Sequence, residues 1–239
     1  MHALNDLLQR WFAKPRLDSR QASRLASWQA LPANATSVSF KDARCVVLDV
    51  ETTGLNLATD TLISIGAVAI VNGRISLGDT FSVILQQRNS SRKENILVHG
   101  ISGSEQREGV TPADALLSFL EYLGKAPLVA FHVAFDETMV RRAMRQHLGL
   151  SFRHPWLDLA YVMPALCPDL MHSHRSLDDW SRHFDIRNEN RHNALADALV
   201  TAQLLLIAVS RLQKEGQASY KDLRSLERGY RHEIGRAHV

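Results

Sequence analysis

Val46-Val47-Leu48-Asp49-Val50-Glu51-Thr52-Thr53-Gly54 is the stretch on which the reading of this chain turns. Apolar positions with Asp49 set among them read as a buried strand. Glu51 is two residues on, and side chains two apart on a strand share a face. Two carboxylates therefore point the same way from the end of a buried element. Left unneutralised they repel in a low dielectric. A divalent cation relieves that cost, and hard cations such as Mg²⁺ take carboxylate oxygens. Thr52-Thr53-Gly54 adds hydroxyls and a turn where the strand must stop. The stretch alone also fits a strand ending in two solvated acids. Its companions further along the chain decide between the two.

With 239 residues, the chain suits one ordinary domain plus an appendage. A hydrophobic share of 45% and a charged share of 22% are those of a globular protein, which argues against disorder. The net charge of +3 permits a polyanionic partner without demanding one. The two cysteines, Cys45 and Cys167, have no metal-finger or disulfide-framework spacing, so a reducing compartment is expected. No apolar run of membrane length and no signal peptide is read, giving the expectation of a cytoplasmic protein with no membrane partner.

Residues 1 to about 40 read as an N-terminal helical extension. Leu4, Leu7, Leu8, Trp11 and Phe12 recur at helical spacing until Pro15, and Leu25, Trp28 and Leu31 suggest a second short helix. Such helices either pack on the main domain or serve as an arm that docks a polymerase or another protein partner. Residues 41–213 form the main domain. After the first strand, Thr61 to Val71 and Asp79 to Leu85 alternate like strands, joined across the tight-turn pair Asn72-Gly73. Asn89 to Glu94 reads as a loop. Thr111, Pro112 and Asp114 open a helix that ends near Gly124. Leu128 to Phe131 reads as a short buried strand, and His132 to Asp136 leads into another helix. Trp156 to Leu166 is an apolar strand or helix containing Asp158, and Ser176 to Phe184 is amphipathic. Asn193 can cap a long helix from Ala194 to about Gln213. The order is three meandering strands, then helices alternating with single strands, which predicts a mixed α/β sheet flanked by helices on both faces.

Three separated stretches each place acids where a strand ends or a helix begins: Asp49 with Glu51, then Asp136, then His192 with Asp197. On one helix His192 and Asp197 would diverge by about 140°, at 3.6 residues per turn. The histidine is therefore expected in the loop before the helix, beside an acid fixed on it. A general base next to a metal ligand suits that placement.

DVETTG, FHVAFD and HNALAD resemble, in order, the three motifs of the DEDDh branch of the DnaQ-like 3′-to-5′ exonucleases. That family includes the proofreading subunit of bacterial DNA polymerase III. The resemblance covers about residues 44 to 210. It implies a ribonuclease H-like fold with a five-stranded sheet, two Mg²⁺ or Mn²⁺ ions per site, single-stranded nucleic acid with a free 3′ end as substrate, and release of nucleoside 5′-monophosphates. Asp49, Glu51, Asp136 and Asp197 are then the metal-holding acids, and His192 is the catalytic base. Substrate contact is implied for Thr52, Thr53, Gly54, Leu55, His99 and Phe135, with Leu55 and Phe135 wedging or stacking the last bases. The second motif usually reads His-Asn-Ala-x-Phe-Asp, and Phe131 and His132 replace its first two residues. A polymerase-associated proofreading subunit and an RNA-trimming exoribonuclease remain as alternatives within the family.

Other features carry less. His172, His174 and His183 suggest zinc only weakly, since no cysteine joins them at ligand spacing. Asp158 is expected as a buried, hydrogen-bonded acid. Residues 214–239 read as a C-terminal tail. Arg211, Lys214, Lys221, Arg224, Arg228 and Arg231 are expected on a solvated helical face. Glu233 to Val239 (EIGRAHV) continue no periodicity and match the translation of a common sequencing-adapter sequence, so a non-native end is expected there.

Overall fold

The computed structural model describes residues 15–213 and 218–237. β1 (Arg44–Thr52), β2 (Leu62–Val71) and β3 (Arg74–Ile84) form the expected antiparallel meander. Asn72 and Gly73 turn the second hairpin with φ of 51° and 71°, the positive values that its tight turn needs. β4 (Leu128–Ala130) and β5 (Trp156–Asp158) add in parallel on the far side of β1, giving the order β3-β2-β1-β4-β5. This is the mixed five-stranded sheet of the ribonuclease H-like fold.

The alternation along β1 sorts its side chains between two cores. Val46, Leu48 and Val50 pack with α4 (Pro112–Leu123) and α5 (Val133–Leu148). Cys45 and Val47 pack on the other face with α6 (Leu159–Leu166) and α8 (Ala194–Gln213). Asp49 and Glu51 share the side of Val47. They lie on the face that α8 covers, at the end where that helix begins. Against the expectation of no membrane-length run, α8 is long and apolar enough to cross a bilayer. Half of that run is buried in the protein, against β1 and β2.

Lys93 and Glu94 do not belong to a loop but open α2 (Lys93–His99), which is followed by α3 (Gly103–Glu108). Both helices are too short for a clear period, although the Ser102–Glu105 capping box was a legible start signal. Trp156 to Leu166 is a strand and then a helix, with Asp158 at the junction accepting the Ala160 N–H.

The expected helix over Leu4 to Phe12 falls outside the described residues. The second forms as α1 (Ser19–Ala30) and packs on α4. Trp28 is buried, donates its indole N–H to the Gly124 carbonyl at 2.7 Å and carries Lys125 over its ring. Arg24 pairs with Asp114 and Glu121. Trp28 is thus spent on its own domain and is not a free anchor.

The C-terminal region folds as α9 (Tyr220–Ala237), packed on α6. Its expected solvated basic face is overturned at two positions. Arg224 and Arg231 both turn inward to Glu227, which is 0% exposed, because a buried carboxylate demands partners. The helix also runs on through Glu233 to Ala237, where no periodicity was read. Extending a formed helix costs far less than starting one. α7 (Leu177–His183) lies between α6 and α8 in the chain.

Candidate active site

Gly66 stands directly opposite Asp49 in the β1–β2 register. A Cβ on Gly66 would collide with the backbone of Ala194 and Leu195. The missing side chain is what lets the first turn of α8 rest on the sheet. Asp197, in that turn, is thereby brought against the two acids of β1. Oxygens of Asp49, Glu51 and Asp197 lie within 4.8 Å of one another.

Asp136 reaches the same region from α5. Val46 donates its N–H toward β4, to the Pro127 carbonyl at 3.0 Å. The N–H of Val50 has the same direction by alternation, but β4 has ended at Ala130. The carboxylate of Asp136 lies close enough to that N–H for it to oppose the effect of burial on the carboxyl. Asp136 is 5% exposed and its charge acts on Asp49, although it is not among the three acids whose oxygens cluster.

The electrostatics show how short of positive charge the site is. Burial, and then the charges of Asp136, Asp197 and Glu51, hold the Asp49 carboxyl well above its usual range. Burial and the charge of Asp197 push Glu51 up to about 8, with Arg191 opposing them. Burial raises Asp136 as well. An all-oxygen, anionic donor set fits a hard divalent cation such as Mg²⁺ or Mn²⁺. Asp49, Glu51 and Asp197 form the only such metal-competent group among the described residues. The zinc alternative gains no support. His174 and His183 meet edge to face, packed around Trp180, and His174 bonds Ser173.

His192 lies where the spacing predicts, in the loop before α8. It is exposed, with a left-handed φ of 62°. Asn193 caps the helix by accepting the Ala196 N–H at 3.1 Å. Asp197 clasps this loop, accepting from Asn188 Nδ2, the Arg191 guanidinium and the His192 backbone N–H. Arg191 also binds Asp178. Sequence reasoning missed Asn188 and Arg191. A cation next to His192 and close to the acids was the one available signal for Arg191, and none marked Asn188.

The residues expected at the substrate divide into two groups. Leu55 is 85% exposed and Phe135 half-buried, so both offer apolar surface. The hydroxyls of Thr52 and Thr53 instead bond inside their own loop, to the Gly54 carbonyl and the Asp60 carboxylate. That carboxylate also crowds the Cα of Gly54. Asn95 of α2 donates to the Thr53 carbonyl and braces the loop from outside. His99 is buried, with one ring nitrogen on Ser91 and the other accepting the Ile101 N–H. Burial lowers its pKa. It lines a cleft of about 230 Å³ with Glu51, Asn190 and Asn193. At the altered second motif, Phe131 fills the core and His132 takes a left-handed backbone, a conformation that Asn, Asp and His adopt more readily than most residues.

Residues 46–205 match the model of the exonuclease family RNase_T. The chain belongs to this exonuclease family. Its relatives place it among the DnaQ-like members. A PolC-type DNA polymerase III of Thermotoga petrophila is 32% identical over 189 residues, covering 79% of this chain and 14% of that protein. The chain therefore spans only a small part of such polymerases. The DNA polymerase III subunit epsilon of Aquifex aeolicus is 27% identical, over 79% of this chain and 92% of that one. The fold is shared with E. coli exonuclease I in complex with a dT13 oligonucleotide, at a TM-score of 0.61 and 18% identity over 72% of this chain and 42% of that one. The matched exonuclease region holds Asp49, Glu51, Asp136, His192 and Asp197, whereas α1 and α9 lie outside it.

Proposed function

We propose that this nuclease is a divalent-metal-dependent 3′-to-5′ exonuclease that releases nucleoside 5′-monophosphates from single-stranded 3′ ends. The observation that carries the reading is the convergence of Asp49, Glu51 and Asp197 within 4.8 Å, with Asp136 beside them. Asp49, Glu51 and Asp197 would hold the cations, with Asp136 beside them as a further carboxylate donor. When bound, Mg²⁺ or Mn²⁺ supplies the positive charge that stabilises the attacking and leaving oxygens. Water adds to the terminal phosphorus while His192 takes its proton as general base, and the bond to the upstream 3′ oxygen breaks, that oxygen staying on the shortened strand and taking a proton from solvent. The exposed loop lets His192 reach that water, while the clasp of Asp197 keeps the loop registered on the acids.

Leu55 and Phe135 supply apolar surface for the last bases. The names of the relatives favour DNA, a polymerase-associated proofreading role and a cytoplasmic setting. Single-stranded DNA and RNA oligonucleotides carrying a 5′ label test the polarity. The reading expects a ladder that shortens from the 3′ end, 5′-mononucleotides as product, and inhibition by a 3′-phosphate. Rapid cutting of circular single strands would contradict it.

A further inference from the structure

α9 lies outside the matched exonuclease region, yet its inner face reaches Asp158, at the end of β5. Arg231 Nη2 donates to Asp158 Oδ2 at 3.0 Å, and Arg231 Nε donates to Glu227 Oε1 at 2.9 Å. Glu227 also accepts from Arg224 and, at 3.3 Å, from the Asp158 backbone N–H. Asp158 and Glu227 are 2% and 0% exposed, so these two buried carboxylates depend on the two guanidinium groups for balance. The Arg231 guanidinium is fixed over the ring of Tyr161, 3.6 Å from its centroid.

The other oxygen of Asp158 points toward the site. Asp158 Oδ1 accepts the His132 N–H at 3.0 Å. His132 is the left-handed residue that caps α5, and Asp136 stands in the first turn of that helix. No side-chain hydrogen bond from His132 itself secures this cap. The chain of contacts thus runs from α9 through Asp158 to the backbone N–H of the residue that caps α5. We propose that Arg231 and Glu227 are positioning residues for the metal-holding acids, acting through Asp158 and the His132 N–H to set the placement of Asp136. The inference rests on the proposed role of Asp136 in metal-dependent hydrolysis. It adds a helix beyond the family region to the machinery of the site.

Removing Arg231 leaves Asp158 facing Glu227 with one guanidinium fewer. The two carboxylates then repel, and Asp158 loses the partner that aims it at His132. Three measurements on the full chain test this, with melting curves to confirm folding. In Arg231→Met, hydrogen exchange at the His132 amide should quicken about tenfold or more, while amides within α4 keep their rates. The Kd for Mn²⁺ by calorimetry should rise about tenfold, the low end for residues behind a metal ligand. On a single-stranded oligonucleotide, kcat should fall with KM within twofold. Arg231→Lys keeps the charge but cannot span both carboxylates, so it should recover part of each effect.

Should Arg231→Met fail to fold, Arg231→Gln keeps a donor but no charge, leaves Asp158 facing Glu227 in the same way, and is read with the same sign. A lowered melting temperature with wild-type His132 exchange and wild-type Mn²⁺ affinity makes α9 a brace only and overturns the proposal. If the wild-type protein neither binds Mn²⁺ nor digests oligonucleotides, the exonuclease reading fails, and the His132 exchange rate still decides whether α9 positions α5.

Discussion

The backbone of Ala194 rests on the bare Cα of Gly66, directly across the strand pair from Asp49. This contact sets the distance between Asp197 and the acids of β1. Gly66→Ala should push the start of α8 off the sheet. Overpacking of this kind costs about 1–3 kcal/mol, and the loss of activity should exceed what that destabilisation explains. Gly78→Ala is the control, since a Cβ there meets nothing within 4 Å. Melting curves and oligonucleotide digestion on both variants check this. Equal behaviour of the two would contradict it.

The raised acids make the metal-free protein sensitive to pH in an unusual direction. Folding lifts Glu51 from 4.5 to about 8. Between those values the folded state keeps a proton that the unfolded chain has released. Stability should therefore fall as pH rises from about 4.5 to about 8, then level off. Raised values at Asp49 and Asp136 act in the same sense. Glu51→Gln should flatten the slope, and a divalent cation should reverse it. Melting temperatures in chelator across this range provide the measurement, and a flat or rising curve for the wild type would count against the account.

Arg191 is the fixed cation at the cluster, bound to both Asp197 and Asp178. Arg191→Gln removes that charge and leaves Asp197 with Asn188 and the His192 N–H. The metal-free variant should melt lower than the wild type at neutral pH. Its gain in melting temperature on adding Mn²⁺ should be larger, because more negative charge is left for the cation to neutralise. An unchanged or smaller gain would show that Arg191 does not balance the acids.

His192→Ala should lower the rate by about two to four powers of ten, the usual span of a general base. Mn²⁺ affinity and oligonucleotide binding should change little, since the Asp197 clasp uses the His192 backbone and not its ring. Single-turnover rates beside calorimetric titration separate the two effects. Near wild-type turnover would assign the proton transfer to another group.

The acids of the site were legible because each sits at a break in pattern. Asp49 and Glu51 interrupt a strand, Asp136 follows β4, and Asp197 follows the cap residue Asn193. The meander was legible from alternation and the Asn72-Gly73 turn. What escaped depends on contacts between distant residues. That Thr52 and Thr53 spend their hydroxyls on a loop built around Asp60 cannot be read from their own stretch. Arg231 reads as a surface cation, yet the fold brings it to buried Asp158, just as it brings Arg191 to buried Asp197. The role of Gly66 appears only once α8 is laid across the sheet.

The most direct test of the central claim is mononucleotide release from a 3′-labelled single strand by the wild type and by Asp49→Ala. Each is assayed with Mn²⁺ and again with excess chelator. The account predicts release by the wild type in Mn²⁺ alone. It predicts none in chelator, and none by a folded Asp49→Ala protein in either condition. Undiminished release by Asp49→Ala, or by the wild type in chelator, would contradict it.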